Sequence, residues 1–175
     1  MSVTRRKHSA DAVLIILAVM IAVMGALFIF NIGGGMAGCS VIFAIFSIAA
    51  GMGYMVYGSS TSAANKSLEW PMLQGLIDIL LGIVLLMSAS TSNTVMIVYI
   101  MAIWAAMGAV ARLLNMNKLK GSLKNATKIG AFFCLGGAVV MLLGAILGIE
   151  YTLCTGIGLI IFALGSFTFT KKRRA

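Results

Sequence analysis

Six long apolar segments alternate with short polar ones along the 175 residues of this chain. Each is about long enough to cross a hydrocarbon core roughly 30 Å thick. Their length and continuity favour helices, because the strands of a membrane barrel alternate apolar and polar residues. The pattern therefore predicts an all-α integral membrane protein with one membrane domain that fills residues 1–175. The six predicted spans lie near 11–30, 36–57, 71–88, 94–114, 128–148 and 151–169.

Glycines recur inside these segments at a fixed spacing of 57 residues, from 25 to 82, from 51 to 108 and from 108 to 165. Self-similarity at such a period indicates repetition of one supersecondary unit. The unit predicted here is a helical hairpin, repeated in one orientation near 11–57, 71–114 and 128–169. Small residues let transmembrane helices pack closely, so we assign these positions to helix packing. The offset from 82 to 144 is 62 residues, and two further glycines lie seven residues before the first glycine of their hairpin. The predicted packing glycines are Gly25, Gly51, Gly75, Gly82, Gly108, Gly137, Gly144 and Gly165.

Composition supports a membrane location, and the placement of charge predicts its orientation. Apolar residues make up 61% of the chain, and mean hydropathy is +1.09. Once six spans are drawn, all 13 Lys and Arg fall on one side, whereas the opposite loops carry only Glu150. The positive-inside rule then places both termini in the cytoplasm. The net charge of +9 is therefore topogenic and does not indicate nucleic acid as a partner.

The loop at 112–128 concentrates basic residues on the predicted cytoplasmic side. A short interfacial helix on anionic lipid headgroups would use this charge, and so would an irregular loop that only sets topology. Both interpretations stay open. The packing glycines also allow two interpretations, namely contacts between helices of one chain and contacts between chains of a homo-oligomer. Contacts within one chain are favoured. The lysines assigned to headgroup contact are Lys118, Lys120, Lys124 and Lys128.

Asp78 is the one acidic residue deep inside a predicted span, where an ionisable side chain indicates function by default. It shares a helical face with Pro71, Gly75 and Gly82, at a spacing that places it toward other helices. Gln74 lies one turn away and can share hydrogen bonds with it. These residues form the candidate intramembrane polar site.

Arg112 completes this candidate site from the inner end of the fourth span. Side chains lean toward the N-terminus of their helix, so Asp78 and Arg112 lean toward each other across antiparallel helices. Three interpretations follow. The favoured one is a buried link between Asp78 and Arg112 that sets the register of the middle hairpin. The others are a proton- or ion-responsive Asp78, and a neutral Asp78 with Arg112 extended to the headgroups.

Residues for enzymatic chemistry are scarce. The single histidine, His8, lies in the N-terminal tail, so neither a metal cluster nor an intramembrane Ser/His or Cys/His dyad is expected. The three cysteines are predicted to be buried free thiols, and Trp104 a packing residue inside the fourth span. We therefore expect no catalytic residues, cofactor or metal.

Two segments of the middle hairpin carry a resemblance. WPMLQGLIDILLGIV at 70–84 resembles the W-x-x-L-x-G-I-x-x-I-L-L-G-I-V segment of the bacterial HdeD family, and IWAAMGAVAR at 103–112 is similar to the helix that follows it. The resemblance implies a bacterial or archaeal inner-membrane protein with six spans in three hairpins and a link to acid resistance. It implies no known molecular activity. We expect a non-enzymatic protein of acid or envelope stress; the alternative is a small transporter or channel that uses Asp78 to move protons or cations.

Overall fold

The computed structural model describes residues 2–62, 70–91, 93–116 and 121–174, and these ranges form six α-helices. No strand occurs within them, so the predicted all-α class is confirmed. The helices are α1 (Ser2–Ile29), α2 (Met36–Ser62), α3 (Trp70–Ala89), α4 (Thr94–Met116), α5 (Gly121–Leu147) and α6 (Tyr151–Arg174).

Four of these helices contain segments that are long and apolar enough to cross a membrane. They indicate a multi-pass membrane protein. The first and last helices of the chain contain shorter apolar segments, Ile15–Ile29 in α1 and Tyr151–Phe167 in α6. The four longer segments are Met36–Val56, Met72–Ala89, Thr94–Leu114 and Lys124–Leu147.

From α2 to α6, helices that follow one another in the chain are neighbours in the bundle, and α6 closes it by packing along α1. The most extensive interfaces join α2 to α3, α4 to α5, α5 to α6 and α6 to α1. In contrast, α1 and α2 barely touch. The three predicted hairpins therefore differ in their internal packing, which is tight in the third and loose in the first.

Close helix contacts centre on glycine. A Cβ at Gly51 would lie 2.6 Å from the carbonyl oxygen of Gly75, and a Cβ at Gly25 would lie 2.8 Å from that of Gly156. In both pairs the main chains touch because neither residue has a side chain, as small-residue packing of membrane helices requires. Gly156 lies outside the repeat pattern, so spacing alone does not single it out.

Glycines at equivalent repeat positions do not all face equivalent neighbours. Gly82 in α3 meets Ala44 and Ile48 of the preceding helix, whereas Gly144 in α5 meets Cys154 of the following helix. The remaining predicted packing glycines of the third hairpin also contact their own hairpin partner: Gly137 meets Gly158, and Gly165 meets Gly130. The tight packing of α5 on α6 accounts for this difference.

Two helices end in the same hydrogen-bonded cap. Asn31 follows α1 with φ 54°, while Ile32 N–H donates to Leu27 O and Asn31 N–H donates to Phe28 O. Gly148 follows α5 with φ 65°, and Ile149 N–H donates to Gly144 O. These bonds satisfy carbonyls that a helix end would leave without donors. Both caps lie in the short connections that the sequence analysis places outside the cell.

The outer surface of the bundle is apolar, and several polar side chains are buried inside it. Large aliphatic and aromatic side chains are exposed on all six helices, among them Val56 at 70% and Phe132 at 68%. Gln74, Asp78 and Arg112 lie inside. A soluble protein rarely exposes so much contiguous apolar surface. Lipid is the solvent that suits this arrangement.

Candidate polar site in the helix bundle

Asp78 lies inside the bundle, with 2% of its surface exposed. Its Oδ1 accepts two hydrogen bonds, from Gln74 Nε2 at 2.7 Å and from Trp104 Nε1 at 2.6 Å. Gln74 precedes Asp78 by one helical turn on α3, whereas Trp104 reaches it from α4. Ser47 of α2 also donates to the main-chain carbonyl of Asp78 at 2.8 Å. Asp78 therefore connects α3 with both α2 and α4.

Arg112 is also buried, but its hydrogen bonds go to the third hairpin. Nη1 donates to Gly130 O at 3.2 Å and to Cys134 Sγ, both on α5. Nη2 donates to Ser166 Oγ on α6 at 2.8 Å. The guanidinium carbon lies 5.0 Å from the centre of the Phe162 ring, within the range of a cation–π contact. Arg112 thus joins α4 to α5 and α6.

The predicted direct link between Asp78 and Arg112 is wrong, because both hydrogen bonds to the Asp78 carboxylate come from Gln74 and Trp104. At 3.6 residues per turn, positions 104 and 112 point about 80° apart around α4. The Trp104 side chain points toward α3, and the Arg112 side chain points toward α5 and α6. The alternative in which Arg112 extends to headgroups is also wrong, since only 4% of its surface is exposed.

Aromatic rings occupy the space between Asp78 and Arg112 and continue across the bundle. Trp104 stacks on Phe162 with ring centres 4.5 Å apart, and Phe162 in turn faces Arg112. On the other side, Phe43 meets Trp104 edge-on at 5.4 Å and Phe28 meets Phe43 at 6.3 Å. The prediction that Trp104 packs against other helices is confirmed. Its hydrogen bond to Asp78 was missed, although a buried indole N–H usually needs an acceptor.

Gly108 makes room for the centre of this site. A Cβ there would lie 3.1 Å from Gln74 Oε1 and 3.1 Å from the Phe162 ring, tighter than an ordinary contact. Gln74 Oε1 is buried and accepts no hydrogen bond from the described residues. An orphaned acceptor of this kind is uncommon inside proteins and marks a place where a donor could be accommodated.

A cavity of about 20 Å³ lies between α1 and α2, with Asp78 and Trp104 at its inner end. That volume is enough for roughly one water molecule. Its walls are almost entirely apolar, and α1 and α2 supply most of them. They are lined by Leu17, Met20, Ile21, Met24, Phe43, Phe46, Ser47 and Ala50.

The other predicted functional residues lie apart from this site. Lys118 and Lys120 fall outside the described residues, while Lys124 and Lys128 lie in the first turns of α5, half-buried and exposed respectively. Of the cysteines, Cys39 and Cys134 are buried free thiols and Cys154 is half-buried. Within the part of the chain that the structure describes, no three His, Cys, Asp or Glu residues come close enough to hold a metal ion.

Sequence reasoning did not assign Ser47, Cys134, Phe162 or Ser166 to this site. Nothing in their spacing distinguishes them from other small or apolar residues in the spans. Comparison with known proteins gives no match, whether with family models, curated proteins or solved structures. The functional argument therefore rests on the geometry of the chain itself.

Proposed function

We propose that the six helices all span the membrane as three parallel hairpins, with both termini in the cytoplasm. The apolar exterior of the helices and the one-sided placement of basic residues support this topology. The inner membrane of a bacterium or archaeon is the location that the HdeD resemblance implies. The apolar segments of α1 and α6 are shorter than the other four, and in this topology each adjoins a basic tail at its cytoplasmic end.

Cysteine labelling tests this topology. In a chain with Cys39, Cys134 and Cys154 replaced by serine, Ser90→Cys is expected to react with a membrane-impermeant maleimide in intact cells. Asn125→Cys is expected to react only after the cells are permeabilised. Both positions are exposed in the structure, so accessibility differs only by side of the membrane. Labelling of Asn125→Cys in intact cells would contradict the assignment.

We propose further that the protein is a non-enzymatic membrane protein of HdeD-like type that acts in acid or envelope stress resistance. The observation that carries this is the hydrogen bonding of its two buried ionisable residues. Asp78 and Arg112 form hydrogen bonds with side chains and main chain of five helices, α2 to α6. Such bonding suits residues that hold a bundle together. Function would then lie in the assembled bundle, through its lipid contacts or a partner protein.

The alternative is a small transporter or channel in which Asp78 moves protons or cations. One observation favours it, namely the cavity that reaches Asp78 from between α1 and α2. An ionisable residue inside a span is often part of a substrate or ion path when a cavity adjoins it.

Acid challenge of a deletion strain tests both functions. We expect wild type to restore survival, and Asp78→Asn to restore it equally when membrane levels match, because asparagine keeps an oxygen that accepts from Gln74 and Trp104. Rescue by wild type alone would favour the transporter and justify proton-flux assays. If neither chain rescues the strain, the proposed role in acid resistance is wrong. Ser90→Ala, at an exposed loop position, is the control for expression and handling.

A further inference from the structure

The cavity beside Asp78 has the chemical features of a binding site. Both hydrogen bonds to the carboxylate end on Oδ1, so Oδ2 accepts none from the described residues. Phe46 lines the same cavity and is 37% exposed, so this side chain borders both the cavity and the outer surface of the bundle. The contact between α1 and α2 is the loosest between successive helices of the bundle. A ligand that enters from the lipid phase would pass between these two helices.

The polar groups that line the cavity are few, and they suit a small cation with hydrogen-bond donors. Asp78 supplies negative charge when its carboxyl group is ionised, and Ser47 lines the same cavity with a hydroxyl that donates to the main chain. The aromatic side chains of Phe43 and Trp104 also line the cavity, and a cation is attracted to an aromatic ring. An ammonium group has three N–H donors and a positive charge, so it can use a carboxylate, a hydroxyl oxygen and an aromatic ring together.

The remaining walls match an alkyl chain. Leu17, Ile21 and Met24 of α1 face the cavity, and Phe46 continues the apolar lining to the surface. An alkyl tail could follow these side chains out between α1 and α2 into lipid. The size of the cavity, about 20 Å³, restricts the head to a group about as large as a water molecule. A primary ammonium meets this limit, whereas a trimethylammonium does not.

We propose that this cavity binds the ammonium head of a membrane-partitioned primary alkylamine. The Asp78 carboxylate binds the positively charged ammonium group, and the alkyl tail lies between α1 and α2. This proposal rests on the proposed insertion of the bundle in a membrane, and it names a ligand class for the site that the alternative function would use. It does not require transport.

Tryptophan fluorescence of the purified full-length chain in phosphatidylcholine nanodiscs tests the proposal. The chain has two tryptophans, so Trp70→Phe leaves Trp104 as the sole reporter. Titration with n-octylamine at pH 7 is expected to change Trp104 emission in a saturable way. Octyltrimethylammonium is expected to bind at least tenfold more weakly because its head exceeds the cavity. Octanol, which lacks the charge, is expected to show no saturation.

Three variants in the Trp70→Phe background separate binding from partitioning into lipid. Asp78→Asn is expected to weaken octylamine binding at least tenfold, and Ala50→Leu, which fills the cavity and keeps Asp78, by a similar factor. Ile45→Ala, at an exposed position outside the cavity, should leave affinity unchanged. If Asp78→Asn fails to fold, Ala50→Leu carries the test.

Equal affinities in all variants, or saturation by octanol as well as by octylamine, would overturn the proposal. Either result would show that the amine acts through the lipid and not through the cavity. Resistance of the protein to extraction by alkaline carbonate is measured on the cell membranes from which each variant is purified. A chain that resists extraction but does not bind octylamine contradicts only the ligand proposal, whereas a chain released by carbonate contradicts membrane insertion itself.

Discussion

Replacing Trp104 with alanine is expected to lower the free energy of unfolding by about 3–5 kcal/mol, the range for truncating a large buried aromatic side chain. Trp104 is 3% exposed and touches rings from two other helices, Phe43 and Phe162. Its removal would also take the α4 donor away from Asp78. Both losses fall at the centre of the bundle, so we expect no other single truncation in the site to cost more.

Unfolding by SDS, followed by far-ultraviolet circular dichroism in mixed micelles, measures this effect. Trp104→Phe separates its two causes, because phenylalanine keeps a ring but cannot donate to Asp78. We expect this variant to lose about 1–3 kcal/mol, the cost of leaving a buried polar group without its partner. Ile103→Ala is the matched control, since the adjacent side chain is 57% exposed on the lipid-facing side.

A small effect of Trp104→Ala, comparable to that of Ile103→Ala, would contradict the central role of this residue. An equally large loss in Trp104→Phe and Trp104→Ala would assign the stabilisation to the hydrogen bond and not to ring packing. Combining Trp104→Phe with Asp78→Asn gives a double-mutant cycle that measures the coupling of the two side chains directly.

Replacing Gly51 with alanine is expected to destabilise the protein by about 1–3 kcal/mol, as overpacking of a close contact does. The added Cβ would lie 2.6 Å from Gly75 O and 3.0 Å from Ile79 N. Both neighbours belong to the main chain of α3, so relief requires one helix to move away from the other. The Ser47 bond to the Asp78 carbonyl lies one turn from this contact and would be strained by the same movement.

Gly53→Ala provides the control for this prediction. The residue lies two positions away on the same helix, but the nearest atom to an added Cβ is 4.0 Å distant, at Leu17. Alanine also has a higher helix propensity than glycine, so Gly53→Ala is expected to be neutral or slightly stabilising. Thermal denaturation in detergent compares the two variants. Equal midpoints for Gly51→Ala and Gly53→Ala would show that close approach of α2 and α3 contributes little.

Together these contacts explain how a chain with few polar residues holds its helices in one arrangement. Apolar burial cannot separate correct from incorrect helix pairing in lipid, because lipid tails are as apolar as the side chains. Arg112 supplies specificity through bonds to two helices of the third hairpin, and these bonds form where Gly130 and Gly165 bring the main chains together. Asp78 does the same between α2, α3 and α4.

The sequence determined those properties that depend on short stretches of chain. Apolar run length predicted six helices close to those observed, and the depth of Asp78 marked the polar site, because both follow from neighbours along one helix. Repeat spacing also located glycines such as Gly51 and Gly75, although it could not assign their partners. The contact between Gly25 and Gly156 depends on the packing of α6 against α1, and no local sequence pattern encodes that packing.

Tertiary structure alone decided which side chains meet. Asp78 and Arg112 were predicted to pair because their side chains lean toward each other. The rotation of α4 about its axis instead places Trp104 against Asp78 and turns Arg112 toward Ser166. That rotation results from packing over the whole bundle, including rings as distant in sequence as Phe43 and Phe162. Helix identity is a local property of the chain, whereas helix rotation is a collective one, and the partners of every buried polar group depend on the rotation.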